Sequence, residues 1–338
     1  MRIRVLGSAA GGGFPQWNCG CPGCRAVRDG TRPATPRTQS SIAVSPDGRQ
    51  WWLVNASPDV RTQLADTPDL HPTGDRSTPL RGVLLTDAEI DHSLGLVLLR
   101  EGGGVHLHAT AATERTLRSG TGLLDTLEKF CPVHWTPVDP GVEHDLGGLR
   151  YRAFDVPTGK HDRFGTERSA GGTSIGAERS AGGTSIGAER SAGGTSIGAE
   201  RSAGGTSIGT GSGRVVGYRF TDAGSGSVAV YLPGVQELTP AVLDELAGAD
   251  LLLIDGTTWH DDELTRLGLA AKTAHDMGHL HVGGSGGSLE ALARLGLPRV
   301  VYVHINNTNP ILLDDSDERA EVEKAGFTVG TDGLDLEV

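Results

Sequence analysis

Residues 83–100 place four potential metal ligands between an apolar strand and an apolar helix. Residues 83–85 are a run typical of the end of a buried strand, and residues 94–100 predict a buried helix. Four ionisable side chains lie between them: Asp87, Glu89, Asp91 and His92. At the carboxyl end of a strand such groups are exposed together, and they repel one another unless a cation or a proton compensates. The segment therefore predicts a metal site; a polar loop with a helix N-cap at Asp91 or Ser93 is the simpler alternative.

Composition limits the classes of protein that need to be considered. The chain has 338 residues, of which 37% are hydrophobic and 21% charged, and its formal net charge is -12. The sequence contains no run of about 18 apolar residues, so we expect no membrane span. The first strand, at residues 2–6, lacks the apolar core of a signal peptide, and we therefore predict a cytoplasmic protein. The acidic balance argues against nucleic acid as a partner.

Three of the four cysteines form a compact cluster, Cys19, Cys21 and Cys24, while Cys131 stands alone. A disulfide within so tight a cluster would be strained, which favours thiolates on a metal, with tetrahedral zinc as the default. The sequence does not identify a fourth ligand. Asn307 lies in a loop that could reach the cluster, but asparagine is a poor zinc ligand. Unmetallated thiols are the alternative, and an iron–sulfur cluster would require Cys131.

Further acidic and histidine side chains follow other apolar strands. Asp255 ends a continuous apolar strand at residues 249–254, and His304 ends another at residues 298–303. His279 lies in a short loop that precedes a predicted helix at residues 288–295. Each alone is explained equally well by a structural hydrogen bond. Their recurrence at successive strand ends predicts that they meet at one site.

An 11-residue unit is repeated exactly in the middle of the chain. Its copies begin at Glu167, Glu178, Glu189 and Glu200. Each copy is rich in Gly, Ser and Thr and offers one isoleucine, so a solenoid core is not expected. We interpret residues 166–213 as a flexible surface insertion between two strands of a single domain that spans residues 1–338.

The order of these sites resembles the metallo-β-lactamase superfamily, whose fold is an αββα sandwich. The central motif of that superfamily, His-x-His-x-Asp-His, matches residues 87–92 with both leading histidines replaced. Asp255 matches the bridging aspartate, His304 the last histidine, and His279 a histidine of related phosphodiesterases. The resemblance implies an α/β fold of the αββα type.

A closer resemblance is to the family of pyrroloquinoline quinone (PQQ) biosynthesis B proteins. It rests on residues 7–24, 55–59, 86–92, 277–279 and 304–310, and it leaves out the repeat. The loop at residues 157–165 departs from the family, so the resemblance does not indicate whether that loop supplies a metal ligand such as His161. The resemblance implies a structural zinc on Cys19, Cys21 and Cys24. It also implies iron-dependent, O₂-using hydroxylation of the tyrosine ring of a cross-linked Glu–Tyr precursor.

Other roles remain open from the sequence. An older proposal for the family is a carrier for export of PQQ, and a metal-dependent hydrolase is an alternative from the same fold. The expected ligand is a small peptide-derived precursor. Other PQQ biosynthesis proteins and a second copy of the chain, in a homodimer, are the candidate protein partners.

The residues themselves favour iron chemistry over a dinuclear zinc hydrolase. Replacement of the leading histidines by Asp87 and Glu89 removes nitrogen ligands from one metal position. One carboxylate and two imidazoles remain, Asp91, His92 and His304, which is the ligand set of non-haem Fe(II) oxygenases. We predict that these three bind Fe(II) and that Asp255 and His279 are further ligands or hydrogen-bond partners. Asp87 and Glu89 would orient His92 or accept a phenolic proton.

Overall fold

Two β-sheets stack face to face, and helices cover the outer face of each. The computed structural model describes residues 1–160, 163–164 and 213–338, and the elements given below lie in those ranges. The strands are β1 (Arg2–Gly7), β2 (Ser41–Ser45), β3 (Trp51–Val54), β4 (Leu80–Leu84), β5 (Val105–Ala109), β6 (Val133–Pro137), β7 (Glu143–Asp145), β8 (Leu149–Asp155), β9 (Val216–Asp222), β10 (Val228–Leu232), β11 (Leu251–Asp255), β12 (Val300–Val303), β13 (Thr328–Val329) and β14 (Asp335–Glu337). This is the predicted αββα sandwich.

Each sheet has seven strands within the described ranges. The first has the order β14-β1-β2-β3-β4-β5-β6, and the second has the order β13-β12-β11-β10-β9-β8-β7. Both sheets are mixed: β3 to β6 are parallel in the first, and β10 to β13 are parallel in the second. The parallel strands β4, β11 and β12 are the ones whose carboxyl ends carry the predicted ligands.

Short helices flank the sheets. They are α1 (Pro22–Asp29), α2 (Val60–Ala65), α3 (Ile90–Ser93), α4 (Ala111–Arg115), α5 (Leu123–Leu127), α6 (Pro240–Leu246), α7 (Glu263–Arg266), α8 (Ser288–Ala293) and α9 (Asp317–Lys324). Segments of 3₁₀ helix occur at Pro68–Leu70, Leu94–Gly102, His275–Met277 and Pro310–Leu312, and a π-helical turn occurs at Thr116–Gly120. Among the described residues no helix is both long and apolar enough to cross a bilayer.

The apolar strand β11 shows how the layers are joined. Successive side chains of a strand point to opposite faces, so a strand buried on both faces is apolar throughout. Leu251 and Leu253 pack into the core between the two sheets, with Tyr218 and Phe220 of β9. Leu252 and Ile254 face the other way, into the core beneath the outer helices. The packing of β11 on both faces thereby fixes the position of Asp255 at the end of this strand.

The structure differs from the sequence expectation beyond β4. Residues 94–100 were expected to form a buried helix, but α3 ends at Ser93 and a 3₁₀ helix, Leu94–Gly102, follows. The N-cap of α3 is Glu89, not Asp91 or Ser93. Leu94 and Leu98 are exposed, so the apolar run is not buried as a whole. The expectation was wrong because composition alone does not separate an α-helix from a 3₁₀ helix.

The repeat lies between two strands that pair with each other. Strands β8 and β9 are antiparallel neighbours, with Leu149 opposite Asp222 and Asp155 opposite Val216. Residues 166–212 of the predicted insertion lie outside the described residues, as does His161. The assignment of residues 1–338 to a single domain with an insertion there stays a prediction.

Candidate metal centre

The predicted ligands meet at the end of the sandwich where β4, β11 and β12 terminate. Asp91, His92 and His304 offer one ligand atom each, all within 4.8 Å of one another. A second group, Asp255, His279 and His304, meets the same limit and shares His304 with the first. The turn after β4 therefore lies next to the turns after β11 and β12, which belong to the other sheet.

Asp87 orients the imidazole of His92. His92 Nδ1 lies 2.9 and 2.8 Å from the two carboxylate oxygens of Asp87 and donates to them. Thr86 Oγ1 donates to the same carboxylate at 2.8 Å, and the backbone N–H of Glu89 donates at 2.9 Å. Because Nδ1 is engaged, Nε2 is the atom left for a ligand, and it is buried with no hydrogen-bond partner among the described residues. A carboxylate behind a metal-binding histidine is a usual arrangement in metalloproteins.

His304 is held by its backbone and by Thr257. Its φ of 53° lies in the left-handed region, which a non-glycine residue adopts only under constraint. Thr257 Oγ1 donates to Asp255 Oδ1 at 2.6 Å, so its oxygen accepts from His304 Nδ1, 3.0 Å away. This assigns the free lone pair of His304 to Nε2, which lies 3.5 Å from Asp91 Oδ2.

Asp255 has no exposed surface and is engaged on both oxygens. Oδ2 accepts from His279 Nδ1 at 2.6 Å and from the backbone N–H of Val235 at 3.1 Å. Oδ1 accepts from the backbone N–H of Thr257 at 2.9 Å as well as from its hydroxyl. In this arrangement Asp255 positions His279 and, through Thr257, His304. Its predicted role as an iron ligand stays a prediction.

The carboxylates of the site stabilise positive charge. Burial lowers the pKa of His92, but Asp87 and Asp91 outweigh burial and raise that pKa to about 9. Burial raises the pKa of Asp91, but His92 and His304 more than reverse the effect and hold it well below its ordinary value. A metal cation would benefit from the same field and displace the proton from His92. The orphaned Nε2 of His92 and this field together fit a bound metal.

The glycine-rich loop after β1 closes over Asp91. A Cβ atom at Gly11 would lie 3.1 Å from Asp91 Oδ2, tighter than an ordinary contact. The backbone of this loop thus passes directly beside the candidate ligand, and a side chain at Gly11 would displace the carboxylate. This explains why a glycine stands there.

Glu89 is paired with basic side chains that follow β8. Lys160 Nζ lies 2.8 Å from Glu89 Oε1, and Arg163 reaches Oε2 at 3.7 Å. Of the two residues that stand for the leading histidines, Asp87 is thus bonded to His92 and Glu89 is paired with Lys160. Both lie in the wall of a cavity of about 570 Å³, which also contacts Asp91, His279 and His304.

The cysteine cluster forms a second candidate metal site. Cys19, Cys21 and Cys24 bring their sulfurs within 4.8 Å of one another at the start of α1, and all are unpaired. Asn307 covers the open side of the cluster: Nδ2 lies 3.1 Å from Cys19 Sγ and 3.4 Å from Cys24 Sγ. Three sulfurs at this spacing fit one tetrahedral ion. Cys131 lies elsewhere, in the core under the first sheet.

Every predicted site residue described by the structure therefore lies at one of two positions. Asp87, Glu89, Asp91, His92, His279 and His304 line the cavity, Asp255 lies behind His279, and Cys19, Cys21 and Cys24 form the thiol cluster. Sequence reasoning missed Thr257 and Lys160. Thr257 follows Asp255 by two residues in the same turn, and that spacing was a usable signal. Lys160 lies in the loop that departs from the family, and no pattern marked it.

Asp87→Asn is expected to weaken metal binding at the Asp91–His92–His304 group. The amide keeps the shape of the carboxylate but loses its charge and one acceptor, so His92 is less firmly oriented. Loss of such a partner typically lowers metal affinity by 10–100-fold. Anaerobic titration with Fe(II) measures the change, with surface Asp69→Asn, which only loses ion pairs to Arg2 and Arg4, as the control. Equal affinity in Asp87→Asn and the parent chain would contradict the role.

Comparison with known proteins identifies the family. The model of the beta-lactamase superfamily domain matches residues 50–186 and 190–305. Coenzyme PQQ synthesis protein B of Cupriavidus necator is 42% identical over 341 residues, with 99% of this chain and 98% of that protein covered. The chain belongs to the coenzyme PQQ synthesis protein B family. The Pseudomonas aeruginosa member is 40% identical and covered completely, as is this chain.

Solved structures agree on the fold. The crystal structure of Zn²⁺-bound PqqB from Methylobacterium extorquens has a TM-score of 0.78 and 36% identity, and each chain is covered completely. A diphosphatase from the PhnP family has a TM-score of 0.62 at 19% identity, with 100% of this chain and 97% of that one covered. The second likeness shows the fold alone. The resemblance to the PQQ biosynthesis B family stated from the sequence is confirmed.

Proposed function

We propose that this protein acts in PQQ synthesis as an iron-dependent hydroxylase. It would use O₂ to hydroxylate the tyrosine ring of a cross-linked Glu–Tyr precursor derived from a peptide. The observation that carries the proposal is the group formed by Asp91, His92 and His304 at the wall of the cavity. One carboxylate and two imidazoles on one side of an ion, with open positions on the other, is the ligand set of non-haem Fe(II) oxygenases.

The donor atoms suit a single ion. His92 and His304 each have Nδ1 engaged, by Asp87 and Thr257, and each presents Nε2. Asp91 Oδ2 completes the group. Fe(II) held there would activate O₂, which does not react with an aromatic ring on its own.

The remaining residues bind and orient the substrate and move a proton. Lys160 and Glu89 form an ion pair on the cavity wall, with both side chains partly exposed to the cavity. The ammonium group can bind a carboxylate of the precursor, which frees the Glu89 carboxylate to accept the phenolic proton. The cavity volume of about 570 Å³ is within the range of pockets that enclose small ligands.

A metal-dependent hydrolase is the second candidate, and one observation favours it. The group Asp255, His279 and His304 lies beside the first and shares a histidine with it, as in a dinuclear site. Against it, both oxygens of Asp255 already accept hydrogen bonds, from Val235 N–H and Thr257 N–H among others. Both oxygens of Asp87 are likewise engaged, by Thr86 and by Glu89 N–H, so neither carboxylate is left free to bind a second ion.

The deciding experiment is the mass of the product after reaction with labelled O₂. Protein loaded anaerobically with Fe(II) is mixed with the cross-linked Glu–Tyr compound and a reductant and then exposed to ¹⁸O₂. We expect labelled oxygen in the ring, and loss of that label in Asp91→Ala. A hydrolysed product formed without O₂ would establish the hydrolase instead. Unchanged compound that stays bound would establish a carrier.

A further inference from the structure

The charges of the cavity wall differ from those of the chain as a whole. The chain has a formal net charge of -12, yet in its described part the cavity is lined by as many basic as acidic side chains. The basic ones are Lys160, Arg163, Arg214 and Lys272, and the acidic ones are Asp87, Glu89, Asp91 and Asp276. Because these charges cancel, a divalent cation on the Asp91–His92–His304 group makes the wall net positive, and Asp255 behind His279 offsets only one of the two added charges. A wall of that sign attracts an anionic ligand.

Lysine is scarce in this chain, and half of its lysines lie at the cavity. The sequence contains four, at positions 129, 160, 272 and 324. Lys160 and Lys272 line the cavity. Lys129 follows α5 and Lys324 ends α9, and both are exposed away from the cavity. The two outer lysines therefore provide matched controls for the two inner ones.

Lys160 is held against the turn that leads to His279. A Cβ atom at Gly278 would lie 3.5 Å from Lys160 Cδ, so the aliphatic part of the lysine packs on the bare backbone of this glycine. The ammonium group lies 2.8 Å from Glu89 Oε1. Lys160 is thus fixed at both ends, and a ligand carboxylate has to compete with Glu89 for its ammonium group.

Lys272 lies at the beginning of the same turn and has no such competitor. The turn is closed by a hydrogen bond from His279 N–H to Ala274 O at 3.0 Å, and Ala274 N–H donates to Asp261 O at 2.7 Å. These bonds fix the backbone beside Lys272. The Lys272 side chain is exposed, and no carboxylate in the part of the chain that the structure describes pairs with it. Of the two lysines at the cavity, Lys272 is therefore the more available to a ligand.

We propose that Lys272 is a specificity-determining residue, which binds one carboxylate of the substrate while Lys160 binds another. The ligand class is a small compound with at least two carboxylates. The cross-linked Glu–Tyr precursor belongs to this class, because glutamate alone carries two carboxylates when its α-carboxyl is free. Hydrogen bonds from an ammonium group to a carboxylate are charge-assisted and therefore strong. Held at that end, the compound presents its ring to the Asp91–His92–His304 group.

The identity of the compound rests on the proposed function, but its binding precedes any reaction with O₂ and is measured without it. Isothermal titration calorimetry of the protein loaded anaerobically with Fe(II) gives the Kd of the cross-linked Glu–Tyr compound. It also gives the Kd of an analogue whose glutamyl carboxyls are carboxamides. The parent chain is compared with Lys272→Met, Lys272→Arg and the control Lys129→Met. Methionine keeps much of the aliphatic length of lysine without its charge, whereas arginine keeps the charge.

We expect Lys272→Met to raise the Kd of the compound by at least about 10-fold, the loss typical of one hydrogen bond to a charged group. The Kd of the carboxamide analogue should change by less than about threefold, because it lacks the charge that Lys272 binds. Lys272→Arg should retain most of the affinity for the compound, and Lys129→Met all of it. A Kd of the compound in Lys272→Met within about twofold of the parent value overturns the subsite. Equal losses for the compound and its carboxamide analogue also overturn it, because a structural effect does not depend on the carboxylates.

The subsite and the proposed reaction fail separately. An affinity for the compound that depends on Lys272, without labelled oxygen in the ring after exposure to ¹⁸O₂, would overturn only the hydroxylase. Labelled product from the parent chain, with an affinity that does not depend on Lys272, would overturn only the subsite.

Discussion

His304→Ala is expected to abolish ring hydroxylation and to lower Fe(II) affinity by more than about 100-fold, beyond the effect typical of an outer hydrogen-bond partner. The imidazole presents Nε2 to the same point as Asp91, and its Nδ1 is bonded to Thr257, so removal deletes a ligand that was already oriented. Anaerobic Fe(II) titration and the yield of labelled product measure the two effects. Full iron binding and turnover in the variant would refute the assignment.

Two further variants separate loss of the ligand from loss of the fold. His304→Gly also removes the imidazole, but it relieves the left-handed backbone, which costs about 1 kcal/mol in a residue with a side chain. We expect it to unfold at a higher urea concentration than His304→Ala while binding iron no better. His106→Ala removes an exposed histidine of β5 and should leave affinity and turnover unchanged.

The architecture follows from features that are local in sequence. Alternation in β1 and continuous apolarity in β11 depend only on neighbouring residues, and the structure has both strands within one or two residues of the predicted bounds. The strand-end positions of Asp255 and His304 followed from the same runs. Because parallel strands end at one edge of a sheet, their proximity could also be anticipated.

The hydrogen-bond partners within the site could not be predicted from the sequence. Which atom of Asp87 or Asp255 faces an ion depends on side-chain rotation, which no spacing encodes. The pairing of Glu89 with Lys160 joins the turn after β4 to the loop after β8, about 70 residues away. The contact of Asn307 with Cys19 joins residues that are even further apart in the sequence, by 288 positions. Such contacts depend on how the sheets stack.

The same pairings argue for one ion at the cavity. A dinuclear site of this fold needs nitrogen ligands at positions 87 and 89, and here both positions hold carboxylates that are engaged elsewhere. Asp87 is bonded to His92, and Glu89 is paired with Lys160. The Lys160 ammonium group beside Glu89 also opposes, by its charge, a cation bound through Glu89. We therefore expect the protein to bind one Fe(II) at the cavity.

Asp255→Ala is expected to have the largest effect on stability. Asp255 is fully buried, and its two oxygens accept from His279, Thr257 and the backbone N–H of Val235. Truncation leaves these donors without their acceptor, and loss of one partner from a buried charged pair costs about 3–5 kcal/mol. The free energy of unfolding from urea titration measures this loss.

Asp250, at the opposite end of β11, provides a matched control. Asp250 directly precedes β11, is exposed, and accepts a single hydrogen bond from the backbone N–H of Val228 at 2.8 Å. Asp250→Ala should cost about 1 kcal/mol, because water replaces the lost bond. Asp255→Asn distinguishes the two roles considered for this residue. The amide can accept on one atom only, so if Asp255 positions His279 and Thr257, Asn should lower the free energy of unfolding as well as Fe(II) affinity. A large fall in Fe(II) affinity with unchanged stability would instead identify Asp255 as a metal ligand.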